Sequence, residues 1–327
     1  MTRVLGVLTE REHVADILWN QCDAPMGAHA GWTIRAWPER ADAWLCFGTP
    51  IPPAGSGAGG SRPSRGERFI GRLRGADLER ARFDRAWQHQ QRTRGMERER
   101  TLCMFYEPPT LVRDAAYASA RAHAREVYGP DDRATRCVTL PSLWYVEGPL
   151  AQWRAMETPA KGVPLACVTS GKAMIPGHEK RLEFLRMLRR AGVDMALFGR
   201  GVPGDLGAMG PVMSKASAML PARCALAIEN HDAGEAYVTE KLWDALLCWC
   251  LPLYYGPRAV ERLVPEGAIV RLPDLGAAGV EVVREAVADE GVWRSRLDAI
   301  AEARRRAMGE MRMVEWVVRE LHALGIA

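Results

Sequence analysis

The most informative stretch of the chain alternates short apolar runs with one long polar loop. Residues 224–228 are apolar and about as long as a buried strand, whereas residues 229–238 are polar and predict a loop. Thr239 is a residue type that caps helices, so a helix is predicted from Glu240 to about residue 250. A second apolar run, residues 251–255, follows. This order predicts a βαβ unit whose loop lies at the carboxyl edge of a parallel sheet.

Apolar runs and helical patterns alternate along most of the remaining chain. Strands are predicted at residues 4–8, 32–37, 43–47, 101–106, 165–170 and 193–200. Helices are predicted at residues 11–19, 78–94, 179–191, 215–223, 280–287, 292–306 and 311–324. Residues 50–65 are rich in Gly, Pro and Ser and predict a flexible loop, and residues 156–164 predict a linker between two domains.

The loop at residues 229–238 and the helix start after it carry the strongest candidate chemistry. A helix N-terminus has unsatisfied N–H groups and a partial positive charge, which favours an anion. Lys241 falls in the predicted first turn, where a cation is unfavourable by about 0.3 to 1 kcal/mol unless an anion lies nearby. The residues alone leave two interpretations open, a phosphate ligand beside Lys241 or a solvated lysine beside Glu240.

Three motifs in this stretch belong together. The pair Glu229-Asn230, the run YVTEK that begins at Tyr237 and the run PLYYG at residues 252–256 resemble the signature of the family 10 glycosyltransferases, the α-1,3/1,4-fucosyltransferases. The sequence departs from that signature at His231, where the family commonly has Ser or Thr, and in a loop about one residue longer before Tyr237. The resemblance is strong over residues 165–275 and weak over residues 1–160.

Two further positions gain meaning from the resemblance. Glu107 follows a predicted strand and precedes two prolines, a place where an exposed glutamate before a turn is the ordinary interpretation. The family has a Glu-X-Pro element in a comparable place, with the glutamate proposed as general base. Arg181 lies in the first turn of the predicted helix 179–191, among other basic residues that are commonly solvated. The position of Arg181 matches that of the arginine-bearing helix in the family, so the resemblance implies that Arg181 is a diphosphate ligand. The planar guanidinium group of an arginine can hold two phosphate oxygens.

The resemblance implies an α/β fold with two Rossmann-like domains facing a cleft, the GT-B type. The expected domains are an acceptor-binding domain at residues 1–160, a sugar-nucleotide-binding domain at residues 161–305 and a C-terminal helix at residues 306–327 packing on the fold. The implied reaction is inverting transfer of fucose from GDP-fucose to a glycan hydroxyl. The residues carried over are Glu107 and Glu240 as catalytic, and Arg181, Asn230, Tyr237, Glu240, Lys241 and Glu229 as donor-binding. The sequence has no Asp-X-Asp metal clamp, so no metal is expected to be required and any effect of a divalent metal would be secondary.

The composition of the chain limits the binding partners and the cellular compartment that we expect for it. The chain has 327 residues, 48% of them apolar and 26% charged, with a formal net charge of +4. Its eight cysteines show no CxxC pair and predict buried thiols rather than a disulfide frame. No signal peptide and no apolar run of about 18 residues are found. We expect a cytoplasmic, bacterial-type enzyme, with peripheral contact at the inner face of the membrane left open. Its expected partners are a GDP-sugar and an oligosaccharide or glycoconjugate acceptor.

Three alternatives remain open from the sequence. The same fold can use another GDP- or NDP-sugar, because the matching motifs concern mainly diphosphate and ribose. A non-catalytic protein can retain the sugar-nucleotide pocket. The arginines of residues 88–100 can form a nucleic-acid surface, but such runs are more often a solvated helix face. No nucleic-acid partner is therefore expected.

Overall fold

The computed structural model describes residues 2–9, 13–24, 27–49, 75–231 and 236–326. The predicted Gly/Pro-rich loop at residues 50–65 lies outside these ranges. The chain forms two compact units, one made of Met1–Leu140 with Met313–Ala327 and the other of Pro141–Arg312.

The first unit is a layered α/β structure. In the part of the chain that is described, its strands are β1 (Arg3–Thr9), β2 (Ala28–His29), β3 (Trp32–Ala36), β4 (Ala43–Phe47), β5 (Thr101–Met104), β6 (Glu126–Gly129) and β7 (Arg136–Cys137). Its helices there are α1 (His13–Asn20), α2 (Gly75–Arg94), α3 (Asp114–His123) and α12 (Met313–Ala323). These strands form one sheet in the order β2-β3-β1-β4-β5-β6-β7, with only the β2–β3 pair antiparallel. The strands β1 and β4 are almost wholly apolar because helices cover both faces of such a sheet.

The C-terminal helix α12 packs on this first unit. The Tyr128 hydroxyl donates to Glu320 at 2.7 Å, and the ring of Tyr128 meets that of Trp316 edge-on with centroids 4.6 Å apart. The backbone N–H of Val314 donates to the side chain of Gln21. The apolar stripe of the helix, which includes Val317 and Leu321, is buried.

The second unit is also α/β. Its described strands are β8 (Val163–Ser170), β9 (Ala196–Arg200), β10 (Ala222–Ile228), β11 (Leu251–Tyr255) and β12 (Val270–Arg271). Its described helices are α4 (Leu150–Ala155), α5 (Pro176–Arg190), α6 (Lys215–Met219), α7 (Glu240–Leu247), α8 (Val260–Leu263), α9 (Ala277–Ala288), α10 (Glu290–Arg294) and α11 (Leu297–Ala307). The βαβ unit predicted around residues 224–255 is β10, α7 and β11, with β10 and β11 paired in parallel.

The strand order of the second unit places its ligand edge. The sheet is parallel throughout, in the order β9-β8-β10-β11-β12. The chain therefore reverses direction across the sheet between β8 and β10, which makes this pair the topological switch point. In open α/β sheets, ligands bind at the carboxyl ends of the strands on either side of that point. Here those ends are Ser170 and Glu229-Asn230.

The structure divides the chain at different positions from those that composition predicted. Trp144, Val146, Leu150 and Trp153 belong to the hydrophobic core of the second unit, although they precede the predicted linker at residues 156–164. The division at residue 140 follows from these four large apolar side chains, which a composition-based boundary does not weigh.

The Arg-rich segment at residues 88–100 is engaged largely with its own unit. Arg94 donates to the side chain of Gln90 and to the backbone carbonyl of Trp37, both at 2.8 Å. Arg98 pairs with Glu99 at 2.7 Å. Glu99 offsets the charge of Arg98, and the N–H groups that Arg94 uses within the unit are not available to a polyanion.

Among the helices within the described ranges, none combines the length and the apolar character that a membrane crossing requires. All eight cysteines are free thiols, and seven of them are buried.

Candidate functional site

Arg181 joins the two strand ends at the switch point of the second unit. Its Nη2 donates to the backbone carbonyl of Ser170 at 3.0 Å, and its Nη1 donates to Oδ1 of Asn230. Helix α5 packs closely against the end of β10. A Cβ atom added to Gly177 would collide with the backbone carbonyl oxygen of Asn230. The structure therefore brings together two of the predicted donor-binding residues, Arg181 and Asn230.

The guanidinium of Arg181 is buried, and the described residues supply no counter-charge to it. The residue is only 5% exposed, and across the described ranges no carboxylate lies within ion-pair distance of it. Its Nε is buried and has no hydrogen-bond partner among the described residues. Burial lowers the pKa of Arg181, as expected for a cation removed from water. A buried, uncompensated charge is costly unless a ligand supplies the opposite sign.

The helix that carries Arg181 begins earlier than the sequence predicted. Helix α5 starts at Pro176 rather than at residue 179, so Arg181 lies in its second turn and not in the first. A proline fits the first helical position because its missing N–H would be unpaired there anyway. The first turn instead contains His178, which is 3% exposed.

Five charged side chains form an alternating row beside β10 and α7. Lys241 lies 3.4 Å from Glu229 and 3.3 Å from Glu240. Lys215 lies 3.9 Å from Glu240 and 2.7 Å from Asp244. Because two carboxylates contact Lys241 and its side chain is only 21% exposed, it is not the solvated lysine that the sequence left as one alternative.

The pKa values along this row follow from the number of lysines that each carboxylate contacts. Burial acts to raise the pKa of Glu240, but Lys241, Lys215 and hydrogen bonds outweigh it and lower the pKa to about 2. Glu229 and Asp244 each contact one lysine, and burial keeps the pKa of both raised. Glu240 is thus the carboxylate of the row that stays ionised most firmly.

Glu229 is fully engaged in holding the loop after β10. Its side chain accepts from the backbone N–H and the hydroxyl of Thr239, each at 2.7 Å. Thr239 is the residue before α7, as predicted, but its side chain makes no capping hydrogen bond to the helix. Its hydroxyl instead donates to Glu229 and accepts from Lys241 at 2.9 Å.

Tyr237 is buried and meets the ring of His231 edge-on, with centroids 6.1 Å apart.

In the first unit, Glu107 follows β5 at the carboxyl edge of that sheet and is half-buried. The backbone after it is held in place, because the backbone N–H of Leu111 donates to the carbonyl of Pro108 at 2.8 Å. Arg133 adds hydrogen bonds to the carbonyls of Pro109 and Val112, each at 2.7 Å. Glu107 therefore precedes a turn whose backbone is held by hydrogen bonds.

The lowered pKa of Glu240 predicts a pH-dependent contribution to stability. Because the pKa is lower in the folded protein than in the unfolded chain, the contribution is complete above about pH 4.5 and is lost as the pH falls towards 2. Glu240→Gln should therefore lower the free energy of unfolding by about 3 kcal/mol at pH 7 and by about 2 kcal/mol at pH 3.5. Denaturant unfolding at both pH values measures this.

A matched control for that measurement is Glu183→Gln, on α5. Glu183 is 51% exposed and pairs with Arg186 and Arg190, so its removal should cost less than about 1 kcal/mol at either pH. An equal penalty for Glu240→Gln at pH 7 and pH 3.5 would contradict the role of its charge.

Two features of this site were not predicted from the sequence. The Lys215–Asp244 pair is one, and its signal was an aspartate in the middle of the apolar run of α7, where a buried carboxylate needs partners. Asp244 also accepts from the backbone N–H groups of Tyr145 and Val146, at 2.5 and 3.1 Å. The other is His178, whose signal was a histidine two residues after a proline that can start a helix.

Among the described residues, no group of three or more His, Cys, Asp or Glu side chains is arranged to hold a metal ion.

Comparison with known proteins identifies the second unit. Residues 166–279 match the model of a family described as glycosyltransferase family 10 (fucosyltransferase), C-terminal part. These residues contain the larger part of β8 and all of β10 and α7, and with them Arg181, Glu229, Asn230, Glu240 and Lys241. None of the curated proteins searched matches the sequence.

Solved structures match nearly the whole chain. HepE of Anabaena, in complex with UDP-glucose, aligns over 98% of this chain and 99% of that chain, with 11% identity and a TM-score of 0.54. BGT of phage T4, in complex with its UDP-glucose substrate, aligns over 98% and 99%, with 9% identity and a TM-score of 0.51. An α1,3-fucosyltransferase with GDP-fucose aligns over 90% and 81%, with 12% identity and a TM-score of 0.45, too low to add weight.

The predicted α/β fold of GT-B type is confirmed by the parallel sheets of the two units and by the HepE and BGT matches. The predicted enzyme class is confirmed by the family match. The chain is therefore a glycosyltransferase with the GT-B fold, and its residues 166–279 match the C-terminal part of glycosyltransferase family 10 (fucosyltransferase).

Proposed function

We propose that this protein transfers fucose from GDP-fucose to a hydroxyl group of a glycan, with inversion at the anomeric carbon. The observation that carries the proposal is the buried guanidinium of Arg181, which has no carboxylate partner within the described residues and lies at the switch point of a family 10 domain. A nucleotide diphosphate would supply the missing negative charge there. GDP-fucose is the proposed donor because the matching family is one of fucosyltransferases.

Another buried arginine of the same unit shows that burial alone does not imply a ligand. Arg304 is 2% exposed and also lacks a carboxylate partner in the described part of the chain. It donates to the carbonyl of Leu246 at the end of α7 and to that of Trp153, and its guanidinium lies 4.4 Å from the ring centroid of Trp249. The negative end of a helix and an aromatic face thus compensate Arg304. Within the described part of the chain, Arg181 has instead one carbonyl and one side-chain oxygen as acceptors, and its Nε has no partner there.

In the proposed reaction, the acceptor oxygen forms a bond to the anomeric carbon while the bond from that carbon to the phosphate oxygen breaks. The hydroxyl proton passes to Glu107, the proposed general base. Negative charge grows on the departing diphosphate and is stabilised by Arg181, with Lys241 as a second cation close to Glu240. The sugar gains positive character in the transition state.

Glu240 is the carboxylate that we propose to act on the sugar or ribose of the donor. Its low pKa keeps it ionised at neutral pH, so it can accept hydrogen bonds from hydroxyl groups and offset the positive charge of the sugar. Glu229, whose side chain is fully buried and bonded to Thr239, is proposed to position Lys241 and the loop rather than to contact the donor. Asn230 and Tyr237 are proposed to bind the nucleotide sugar.

The N-terminal unit is proposed to bind the acceptor and the second unit to bind the sugar nucleotide. A cytoplasmic location and a reaction without a required metal are further parts of this proposal. The donor phosphates would then depend on Arg181 and Lys241 for their counter-charge.

A thermal-shift screen tests the donor assignment. GDP and GDP-fucose should raise the melting temperature by a few degrees, because a ligand at about 100 times its Kd adds about 2.7 kcal/mol of stability. UDP, CDP and their sugars are the matched controls and should give smaller shifts. A shift with UDP or UDP-glucose but none with GDP would replace the donor and leave the enzyme class unchanged.

A further inference from the structure

Lys215 joins the two carboxylates of α7. Its Nζ lies 2.7 Å from Oδ2 of Asp244 and 3.9 Å from Oε1 of Glu240, which is one helical turn away. The side chain of Lys215 is only 21% exposed, and that of Asp244 is fully buried. The lysine is therefore an enclosed part of the site, close to the carboxylate that we propose to act on the donor.

The position of Lys215 is fixed by contacts that do not involve Glu240. Oδ1 of Asp244 accepts from the backbone N–H groups of Tyr145 and Val146, and Oδ2 accepts from Lys215. The ring centroid of Tyr145 lies 5.0 Å from Nζ of Lys215, which is a cation–π distance. The charge of Lys215 therefore acts on Glu240 from a fixed point.

Lys215 and Lys241 approach the same oxygen of Glu240 from different elements. Lys241 lies on α7, 3.3 Å from Oε1 of Glu240 and 3.4 Å from Glu229. Lys215 reaches the same Oε1 from α6. Without Lys215, Lys241 would be the single lysine in contact with either carboxylate among the described ion pairs. An ammonium group that is drawn towards two carboxylates has less charge to offer to a bound anion.

We propose that Lys215 is a positioning residue of the donor site, which holds Glu240 in place and so keeps Lys241 available to the donor diphosphate. This inference rests on the proposed function, since it concerns the same diphosphate. Lys215 acts through Glu240 and need not touch the donor, because Asp244 and Tyr145 already hold its ammonium group. The two lysines thus divide two tasks, the compensation of a carboxylate and the contact with the ligand.

The test is a double-mutant cycle that combines Lys215→Gln with Glu240→Gln, in which calorimetry at neutral pH measures GDP affinity. Glutamine removes the charge of Lys215 but can still donate to Asp244. In the wild-type background, Lys215→Gln should weaken GDP binding about tenfold. In the Glu240→Gln background, the side chain that Lys215 compensates is already neutral, so the same change should weaken binding by less than about threefold.

Equal losses of GDP affinity in the two backgrounds would overturn the inference, because a lysine that contacts the diphosphate directly does not depend on the charge of Glu240. Unchanged affinity in Lys215→Gln would also overturn it, because the lysine would then serve only the fold. Lys215→Arg retains the positive charge and should bind GDP within about threefold of the wild type. A loss in Lys215→Arg as large as that in Lys215→Gln would contradict a role of the charge.

Two measurements separate this role from a change in folding. The melting temperature without ligand shows whether Lys215→Gln is folded. If it is not, Lys215→Gln combined with Asp244→Asn removes both charges of the pair, and asparagine can still accept from the backbone N–H groups of Tyr145 and Val146. The same dependence on Glu240 is expected in this double variant.

Lys161 provides a matched lysine control in the same unit. Its Nζ donates to the backbone carbonyls of Leu220 and Cys248, at 2.8 and 2.6 Å. Cys248 follows α7 at the end opposite to Glu240. Lys161→Gln should therefore leave GDP affinity unchanged in both backgrounds.

The same cycle separates the two proposals. If neither GDP nor GDP-fucose binds to the wild type, the proposed function fails and the present inference fails with it. If both bind, and the effect of Lys215→Gln does not depend on Glu240, only the present inference fails.

Discussion

Arg181→Met is expected to weaken donor binding while leaving the unliganded protein as stable as the wild type. The expected loss of GDP affinity is about ten- to a hundredfold, the size of a charged hydrogen-bonding partner. The expected loss of transfer is larger, about a hundred- to a thousandfold, because the diphosphate gains charge in the transition state and a preorganised donor group acts on it there.

The unchanged stability is the less obvious part of this prediction. Removing most buried arginines destabilises a protein, since their partners are left unpaired. The acceptors of Arg181 are the carbonyl of Ser170 and the side chain of Asn230, and both residues are half-buried and open to water. Methionine fills a similar volume without the cost of burying a charge. The melting temperature of the unliganded variant should therefore lie within about 2 °C of the wild type.

Two arginine variants provide matched controls. Arg190→Met, on the same helix, removes an exposed arginine that pairs with Glu183 and should change neither stability nor GDP affinity measurably. Arg304→Met removes a buried arginine that is compensated by carbonyls and by Trp249, and should lower stability without changing GDP affinity. Calorimetry with GDP and thermal melting measure both quantities. A destabilised Arg181→Met variant that still binds GDP normally would show that the buried charge serves the fold.

The sequence predicts elements best where an apolar run has clear ends. The bounds of β4 and β11 coincide with the predicted residues 43–47 and 251–255, because each run is apolar throughout and the residue after each is glycine. Helix starts were less accurate. Helix α5 begins at Pro176, ahead of the predicted residue 179, because proline and glycine there indicate a turn locally but are tolerated in a first helical turn. Strand β6 was missed, since Glu126–Gly129 is too short to form a pattern.

The candidate site was predicted one residue at a time, whereas its contacts depend on strand order. Arg181 and Asn230 are 49 positions apart, and they meet because β8 and β10 are neighbours in the sheet. Nothing in the pattern of apolar residues specifies which strands are neighbours. For the same reason, the sequence predicts only part of the contacts between Lys241 and its carboxylates, and it does not predict the Lys215–Asp244 pair.

Glu107→Gln is expected to leave donor affinity unchanged and to lower turnover by about a hundred- to ten-thousandfold. Glutamine has nearly the same shape and keeps one carbonyl oxygen, so the turn that Pro108 and Arg133 hold after β5 should not move. It cannot accept the proton of the attacking hydroxyl, because an amide is a very weak base. The change therefore removes one chemical function and little else.

The measurement is release of GDP from GDP-fucose in the presence of oligosaccharide acceptors, with donor affinity determined in parallel by calorimetry. Glu99→Gln is the control, since Glu99 is 66% exposed in the same unit and pairs only with Arg98 among the described salt bridges. A fall in turnover without a fall in affinity would place Glu107 in the chemical step, because a binding defect would change both quantities. Turnover within threefold of the wild type would remove Glu107 from the mechanism, and a wild type that binds GDP-fucose with no turnover would favour a non-catalytic sugar-nucleotide-binding protein.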